Sequence, residues 1–288
     1  MELKRHVAML RRGLLLVPHL QMVLVRLRLF YFVRLRRALR FHESDFAFDT
    51  TIANNLKGLK HYNGRTDGLI KPLSEIELVD EQTRLLIIGP RNEHDLYSAI
   101  ANGFSEDKVR GLDLISYSPR IDLGDMHRTP YAADSFDAVV IGWTLSYSAE
   151  PQRFAAELLR IVRDGGLIAI GVEYSTLSEE DSVELSGYSI HDSSRLVKRI
   201  NSTAEILDLF AGHVRHVYFD HDAPARRSHS REGMIANVSK VMVIFSIDKH
   251  PATAAAVSPA ARADSFADQP ASELSAQGDP MQSEPIWR

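Results

Sequence analysis

From residue 84 onward, short apolar runs alternate with polar turns and with stretches of helical period. Leu85–Ile88 is an apolar run that meets the turn Gly89-Pro90. Residues 93–102 follow with helical spacing, and 109–115 form a second β-like run that carries one acid, Asp113. Asp134-Ser135 marks a turn before Phe136–Gly142, which reads as a fully buried strand. Pro151 opens a helix with Phe154, Leu158, Leu159, Ile161 and Val162 on one face, and Gly165-Gly166 is expected to stop it. Another buried strand is expected at 167–172, a polar insertion at 175–194, and an amphipathic helix at 204–210. The last two β runs, 216–219 and 241–247, flank a polar stretch read as a loop, with Arg226, Arg227 and Arg231 in it. With no helix between them, they are expected to pair antiparallel.

Alternating strands and helices that finish in a β-hairpin predict an α/β fold. The expected sheet is doubly wound and mostly parallel, with one antiparallel strand from the C-terminal hairpin. Ahead of this core, residues 42–83 hold turn signals at Asn63-Gly64 and Asp67-Gly68, then Pro72, and Ser74 with Glu77 reads as a short helix cap. This connecting segment is expected to cover the cleft of the core. Residues 250–288 are rich in Ala, Ser, Pro, Asp and Gln without apolar period and read as disordered.

Charge separates the N-terminal arm from the body. Residues 1–41 hold ten Lys/Arg against the single acid Glu2, about +9, and the overall charge of −4 leaves the remainder acidic. The longest charge-free run of the arm covers only 13–25 and is interrupted by Pro18, His19 and Gln21. That is short of the roughly 20 apolar residues a transmembrane helix requires, and no small-residue cleavage site follows it. Three readings stand: helices packed on the body with arginine stems covering apolar surface, an amphipathic arm in the headgroup layer of an anionic membrane, or a cleaved organellar presequence. With no cysteine in 288 residues, disulfides, thiolate metal sites and a cysteine nucleophile are excluded. No acid–histidine spacing fits a metal triad, so no metal site is expected.

The strand–glycine turn–helix–strand–acid order is the plan of a nucleotide-type cofactor site, with Gly89 and Asp113 24 residues apart. The segments GDMHRTPYAADSFDAVV (124–140) and LLRIVRDGGLIAIGV (158–172) carry a family resemblance. Residues 84–249 resemble the class I S-adenosylmethionine-dependent methyltransferases, whose fold is Rossmann-like. The strings IGPRNE, ISYSPRIDLGDMH and GWTLSYS are similar to those of methyltransferase-like proteins of bacterial surface-polysaccharide clusters.

The resemblance implies S-adenosylmethionine as cofactor. It places Gly89 and Pro90 in the cofactor turn, Asp113 on the ribose hydroxyls beside Leu114, Asp125 on the adenine amino group and the Met126 backbone at the ring edge. Trp143 would flank the methionine portion or the substrate. A pyrophosphate needs several glycines for close backbone approach, whereas this cofactor has no phosphate and one sharp turn suffices. The sequence departs from the family at Ile87, Arg91 and Glu93, where an acid and two glycines are usual. One expectation is that Arg91 meets the methionine carboxylate and Glu93 its ammonium. Another is that Arg91 pairs with a neighbouring acid or blocks the pocket.

Methyl transfer depends mainly on positioning, and a hydroxyl acceptor gains from a general base. Candidates at strand ends or in the insertion are His127, Tyr147, Glu173, Tyr174 and His191. The expected function is O-methylation of a glycan, glycolipid or other small-molecule hydroxyl, by a cytoplasmic protein held at the inner face of the membrane through residues 1–41. The rivals are a methyltransferase-like scaffold without chemistry and a nicotinamide-dependent oxidoreductase, against which the missing glycines speak. The acidic core offers no basic groove for nucleic acid.

Overall fold

The computed structural model describes residues 12–45, 51–62, 64, 66–175, 200–222, 226–231 and 234–250. The tail beyond His250 and nearly all of the insertion expected at 175–194 lie outside these residues. Helix α1 (Pro18–Leu29) opens on Pro18, whose missing N–H is no loss at the first helical position. It buries Gln21, Val25 and Leu29 and passes into a π-helical turn at Phe30–Leu35. The two-residue strand β1 (Arg40–Phe41) then pairs antiparallel with Ile115–Ser116.

Helices α2 (Thr51–Gly58) and α3 (Asp67–Ser74) fill the connecting segment. Here the turn expected at Asp67-Gly68 and the cap expected at Ser74 are both corrected: Asp67 starts a helix and Ser74 ends it, its hydroxyl donating to the Lys71 carbonyl. Pro72 inside a helix costs on the order of 3 kcal/mol. Leu69, Ile70 and Leu73 are fully buried, and at about 1.5–3 kcal/mol each their burial outweighs that cost.

The core begins with strand β2 (Leu85–Ile88) and continues through α4 (His94–Ala101), β3 (Val109–Asp113), β4 (Ile115–Ser116), β5 (Ile121–Leu123) and β6 (Phe136–Gly142). A 3-10 turn (Thr144–Tyr147), α5 (Pro151–Ile161), β7 (Val162–Ser175), α6 (Thr203–Asp208), β8 (Val214–Asp222), β9 (Arg226–Arg231) and β10 (Met234–Ile247) complete it. The main sheet runs β5-β3-β2-β6-β7-β10-β8, with β9 on the far end of β10. All neighbours from β5 to β7 are parallel, and β10 is antiparallel to β7, β8 and β9. This is the doubly wound, Rossmann-like α/β fold with one antiparallel strand near its edge.

Two boundaries move. Gly165-Gly166 do not stop α5, which ends at Ile161; they lie inside β7. The polar stretch around Arg226 and Arg231 is not a loop, because β10 outruns β8 and its first half takes β9 as partner.

Residue parity divides the core. Leu85 and Ile87 of β2, Ala138 and Val140 of β6 and Leu167 and Ala169 of β7 face one side, packed with α1, α3 and α4. Leu86, Ile88, Val139, Ile141, Ile168 and Ile170 face the other, packed with α5 and α6. This is the period-two alternation of a strand with both faces covered. Registers Ile88↔Leu112 and Ile88↔Ile141 then set Gly89, Asp113 and Gly142 side by side at the carboxyl ends of three central strands. On each side of β2 the chain order runs in opposite directions, which is where open α/β sheets bind ligands.

Candidate active site

After β2 the chain turns sharply. Gly89 has φ +69°, and a Cβ there would overlap the Thr144 hydroxyl, which donates to the Ile88 carbonyl at 3.1 Å. Both the dihedral and the space demand glycine. Two residues on, Arg91 holds φ +55°, unusual for a side chain of this size, and its N–H donates to Asp113 Oδ2 at 3.1 Å. The Ile115 N–H donates to Asp113 Oδ1 at 3.1 Å, and Asn55 Nδ2 of α2 to the same oxygen at 3.4 Å. Burial raises the Asp113 carboxyl to about 6, against the opposing pull of these backbone N–H groups and the charge of Arg91. Three donors occupy a carboxylate that can accept about four bonds, which leaves Asp113 room on Oδ2 for a donor from a ligand.

Asp125 stands on the adjoining loop. Its Oδ1 accepts from the His127 N–H at 2.8 Å and lies 2.6 Å from His127 Nδ1, and its Oδ2 accepts from the Ser44 hydroxyl. Burial pushes this carboxyl up, but the bonds from His127 and Ser44 outweigh it and hold Asp125 below its ordinary value. His127 Nε2 is 2.7 Å from Ser148 Oγ.

These groups surround an open cleft of about 600 Å3, a volume that includes open solvent. Its wall comprises Gly89, Arg91, Asp113, Leu114, Asp125, Met126, His127, Trp143 and Tyr147 from the sequence-derived candidates, together with Asn55, Ile88, Leu112, Gly124, Gly142 and Thr144. Trp143 is another left-handed residue, at φ +63°, placed where β6 ends and the chain tightens into the 3-10 turn. Its ring packs near Gly171 and lies 5.9 Å from Lys240 Nζ. Arg91 lies across Gly58, where an added Cβ would be 2.5 Å from Arg91 Cδ.

Several assignments change. Glu93 does not reach the cavity: its fully buried carboxylate accepts from Arg28 Nε at 2.6 Å and Nη2 at 2.8 Å, and from Ser118 Oγ. It stands at the N-cap position of α4 without a side-chain capping bond, its carboxylate turned toward Arg28 of α1, so it offers nothing to a ligand ammonium. Pro90 is outside the wall and packs against Gly111. His127 lines the cavity with both ring nitrogens in hydrogen bonds to Asp125 and Ser148, which makes it a brace for Asp125 rather than an open base. Glu173 pairs in register with Lys240 in the sheet and is not in the wall. His191 and the Tyr174 side chain lie outside the described residues.

Asn55, Ser44 and Thr144 are contributions that sequence reading misses. Asn55 and Ser44 reach the site from far along the chain, on a segment whose only local sign is its turn chemistry. Thr144 had a visible signal, a hydroxyl next to Trp143 just beyond a buried strand.

Residues 99–170 match the family model described as a methyltransferase domain. Over this stretch the core is a methyltransferase domain. The matched stretch runs from α4 through the acid-bearing end of β3 and the Gly124–His127 loop into β7, which is the part of this methyltransferase domain that carries most of the cavity wall. Its cofactor is accordingly S-adenosylmethionine. No curated protein matches the chain in sequence. Among solved structures it is similar to a chain from the complex of the Haloferax volcanii Trm112 methyltransferase activator with a methyltransferase, at 19% identity and TM-score 0.46, over 70% of this chain and 96% of that one. It is also similar to the YcgJ protein of Bacillus subtilis at 16% identity and TM-score 0.45, over 65% and 99% of the two chains. A third is the MccD protein, at 9% identity and TM-score 0.46, over 63% and 96%.

Proposed function

We propose that this methyltransferase domain methylates a hydroxyl group of a glycan, glycolipid or other small molecule, in the service of surface-polysaccharide assembly, with the protein held at the inner face of the cytoplasmic membrane. The observation that carries the site assignment is Asp113, a buried carboxylate with spare acceptor capacity, next to the left-handed Gly89 in one cavity.

The residues fit the cofactor. Asp113 accepts from the ribose hydroxyls, and the Gly89 turn leaves backbone room beside them. Met126 and Leu114 form the apolar walls for the adenine, and Asp125 Oδ2 retains a lone pair for its amino group. Arg91, with no ion-pair partner for its guanidinium among the described residues, meets the methionine carboxylate. When bound, the cofactor supplies a methyl group on a positively charged sulfur. Trp143 excludes water from one side of that group and Thr144 and Tyr147 orient the acceptor. An aromatic wall with neighbouring hydroxyls suits an uncharged polyol, which supports a sugar-like acceptor over an anionic one. Holding the two reactants in line supplies most of the acceleration for such a displacement.

The test is calorimetric binding of S-adenosylmethionine and S-adenosylhomocysteine, followed by transfer of labelled methyl to glycolipid extracts and sugar nucleotides. Binding to neither cofactor form refutes the site assignment; transfer confined to amines or carboxylates refutes the hydroxyl acceptor. A second reading, a cofactor-binding scaffold without turnover, is favoured by one feature. The Arg91 N–H closes the loop onto Asp113 where the family has glycine. Cofactor affinity with no transfer to any acceptor supports it.

A further inference from the structure

Helix α1 is apolar on two faces, and the body covers only one of them. Gln21, Val25 and Leu29 are buried, and the pair between Arg28 and Glu93 fastens that face to the start of α4. On the other face Leu16, Leu20, Val23, Leu27 and Phe30 are 62, 45, 53, 62 and 57% exposed. Their spacing of four, three, four and three residues makes one continuous stripe along the helix and its approach. A soluble surface helix carries charged or polar residues there. Contiguous apolar surface of this kind, with a polar border, marks an interaction face.

The border is of one sign. Arg26, Arg34, Arg36, Arg37 and Arg40 are all exposed, and residues 12–42 contain no acid. None of these five arginines is in an ion pair among the described residues. No helix among the described residues is long and apolar enough to cross a membrane, so the stripe is a face that lies along a surface. A second copy of the chain fits poorly. Parallel pairing sets every arginine against its own counterpart, and antiparallel pairing about Val23, the middle of the stripe, sets Arg26 opposite Leu20. Neither arrangement supplies a negative partner.

We infer that this outward face of α1 docks the protein on an anionic lipid bilayer, the stripe entering the acyl boundary while the arginines meet lipid phosphates. The inference rests on the membrane-surface placement proposed above and specifies the surface that performs it. Because the inner face is locked to the body, docking leaves the helix in its folded position and fixes the orientation of the whole domain on the membrane.

The experiment uses the full chain and vesicles of phosphatidylcholine alone or with about one quarter phosphatidylglycerol, read by flotation, with S-adenosylhomocysteine binding measured in parallel. Flotation is expected only with the anionic vesicles and is expected to weaken with added salt. Leu20→Glu/Leu27→Glu is expected to abolish it, and Arg26→Glu/Arg34→Glu to weaken it by about tenfold or more. Both variants should keep the cofactor affinity of the parent, since the altered side chains are exposed and remote from the cavity. Absence of flotation, or flotation unaffected by either variant, overturns the inference. So does sedimentation as a dimer that Leu27→Glu converts to monomer, which would assign the stripe to a second copy. Cofactor affinity is read separately, so failure of the methyltransferase reading leaves the flotation result interpretable.

Discussion

Arg28 of α1 donates two hydrogen bonds, at 2.6 and 2.8 Å, to the fully buried carboxylate of Glu93, 65 residues away. The hydrogen bond to Glu93 is also the main cause that raises the Arg28 guanidinium above its ordinary range. Removing one partner of such a pair strands the other without compensation. Arg28→Ala is expected to destabilise the protein by about 3 kcal/mol in urea unfolding, the low end for a buried pair because Arg28 is partly exposed. The double variant Arg28→Ala/Glu93→Gln should lose less than Arg28→Ala alone. An additive loss would show that the pair is not coupled.

Asp113 connects cofactor affinity to pH. The ionised carboxylate accepts hydroxyl donors, and burial has raised this group to about 6. S-adenosylhomocysteine affinity is therefore expected to hold above that value and to fall by about tenfold per pH unit below it, as the competent ionised fraction shrinks. Calorimetry between about pH 5 and pH 7.5 checks this against Asp113→Ala, which should bind weakly and without the same inflection.

Gly89 is under two constraints that can be separated. Gly89→Ala meets both the left-handed φ of +69° and the Thr144 side chain. It should lose cofactor binding and cost about 2 kcal/mol or more in stability. Adding Thr144→Ala removes the overlap and leaves the dihedral, so the pair should recover part of the stability. Complete recovery would place the whole cost in the overlap.

Asp95 predicts the opposite pH trend from an ordinary surface carboxylate. It is 1% exposed, accepts from Thr66 Oγ1 at 2.6 Å, and its Oδ2 has no hydrogen-bond partner. Burial raises it, with the bonds from His94 and Thr66 acting in the other direction. A raised acid binds its proton more tightly in the folded state, so its contribution is largest below the unfolded-state value of about 3.9 and declines as pH rises through the folded one. Asp95→Asn should flatten that part of the stability–pH curve in urea denaturation. An unchanged slope would assign the dependence to other groups.

Much of the sheet was legible because strand signals are local. Leu85–Ile88 and Phe136–Gly142 keep their residue bounds in the structure, since an apolar run bounded by turns has few alternatives to a buried strand. Asp67–Ser74 was misread for the converse reason. Its Gly and Pro are local breakers, and only the tertiary core into which Leu69, Ile70 and Leu73 fit turns the segment into helix. At the site, Gly89 and Asp113 could be picked out because they stand at strand ends, whereas Asp125 was picked out through the resemblance of its segment to a methyltransferase motif. Glu93 was misplaced because its spacing from Gly89 says nothing about which way its side chain turns.

The order of strands and helices, the two-faced core and the acid at the end of β3 follow from the sequence, through periods that any extended or helical backbone must obey. The partner of Glu93, the arrival of Asn55 and Ser44 at two site carboxylates, and the division of α1 into a covered and an open face were decided by the tertiary structure. Each depends on which distant surfaces meet. An α1 apolar on two faces has no periodic mark by which the sequence could tell its core side from its outer side, and the body that covers Val25 and Leu29 supplies that distinction.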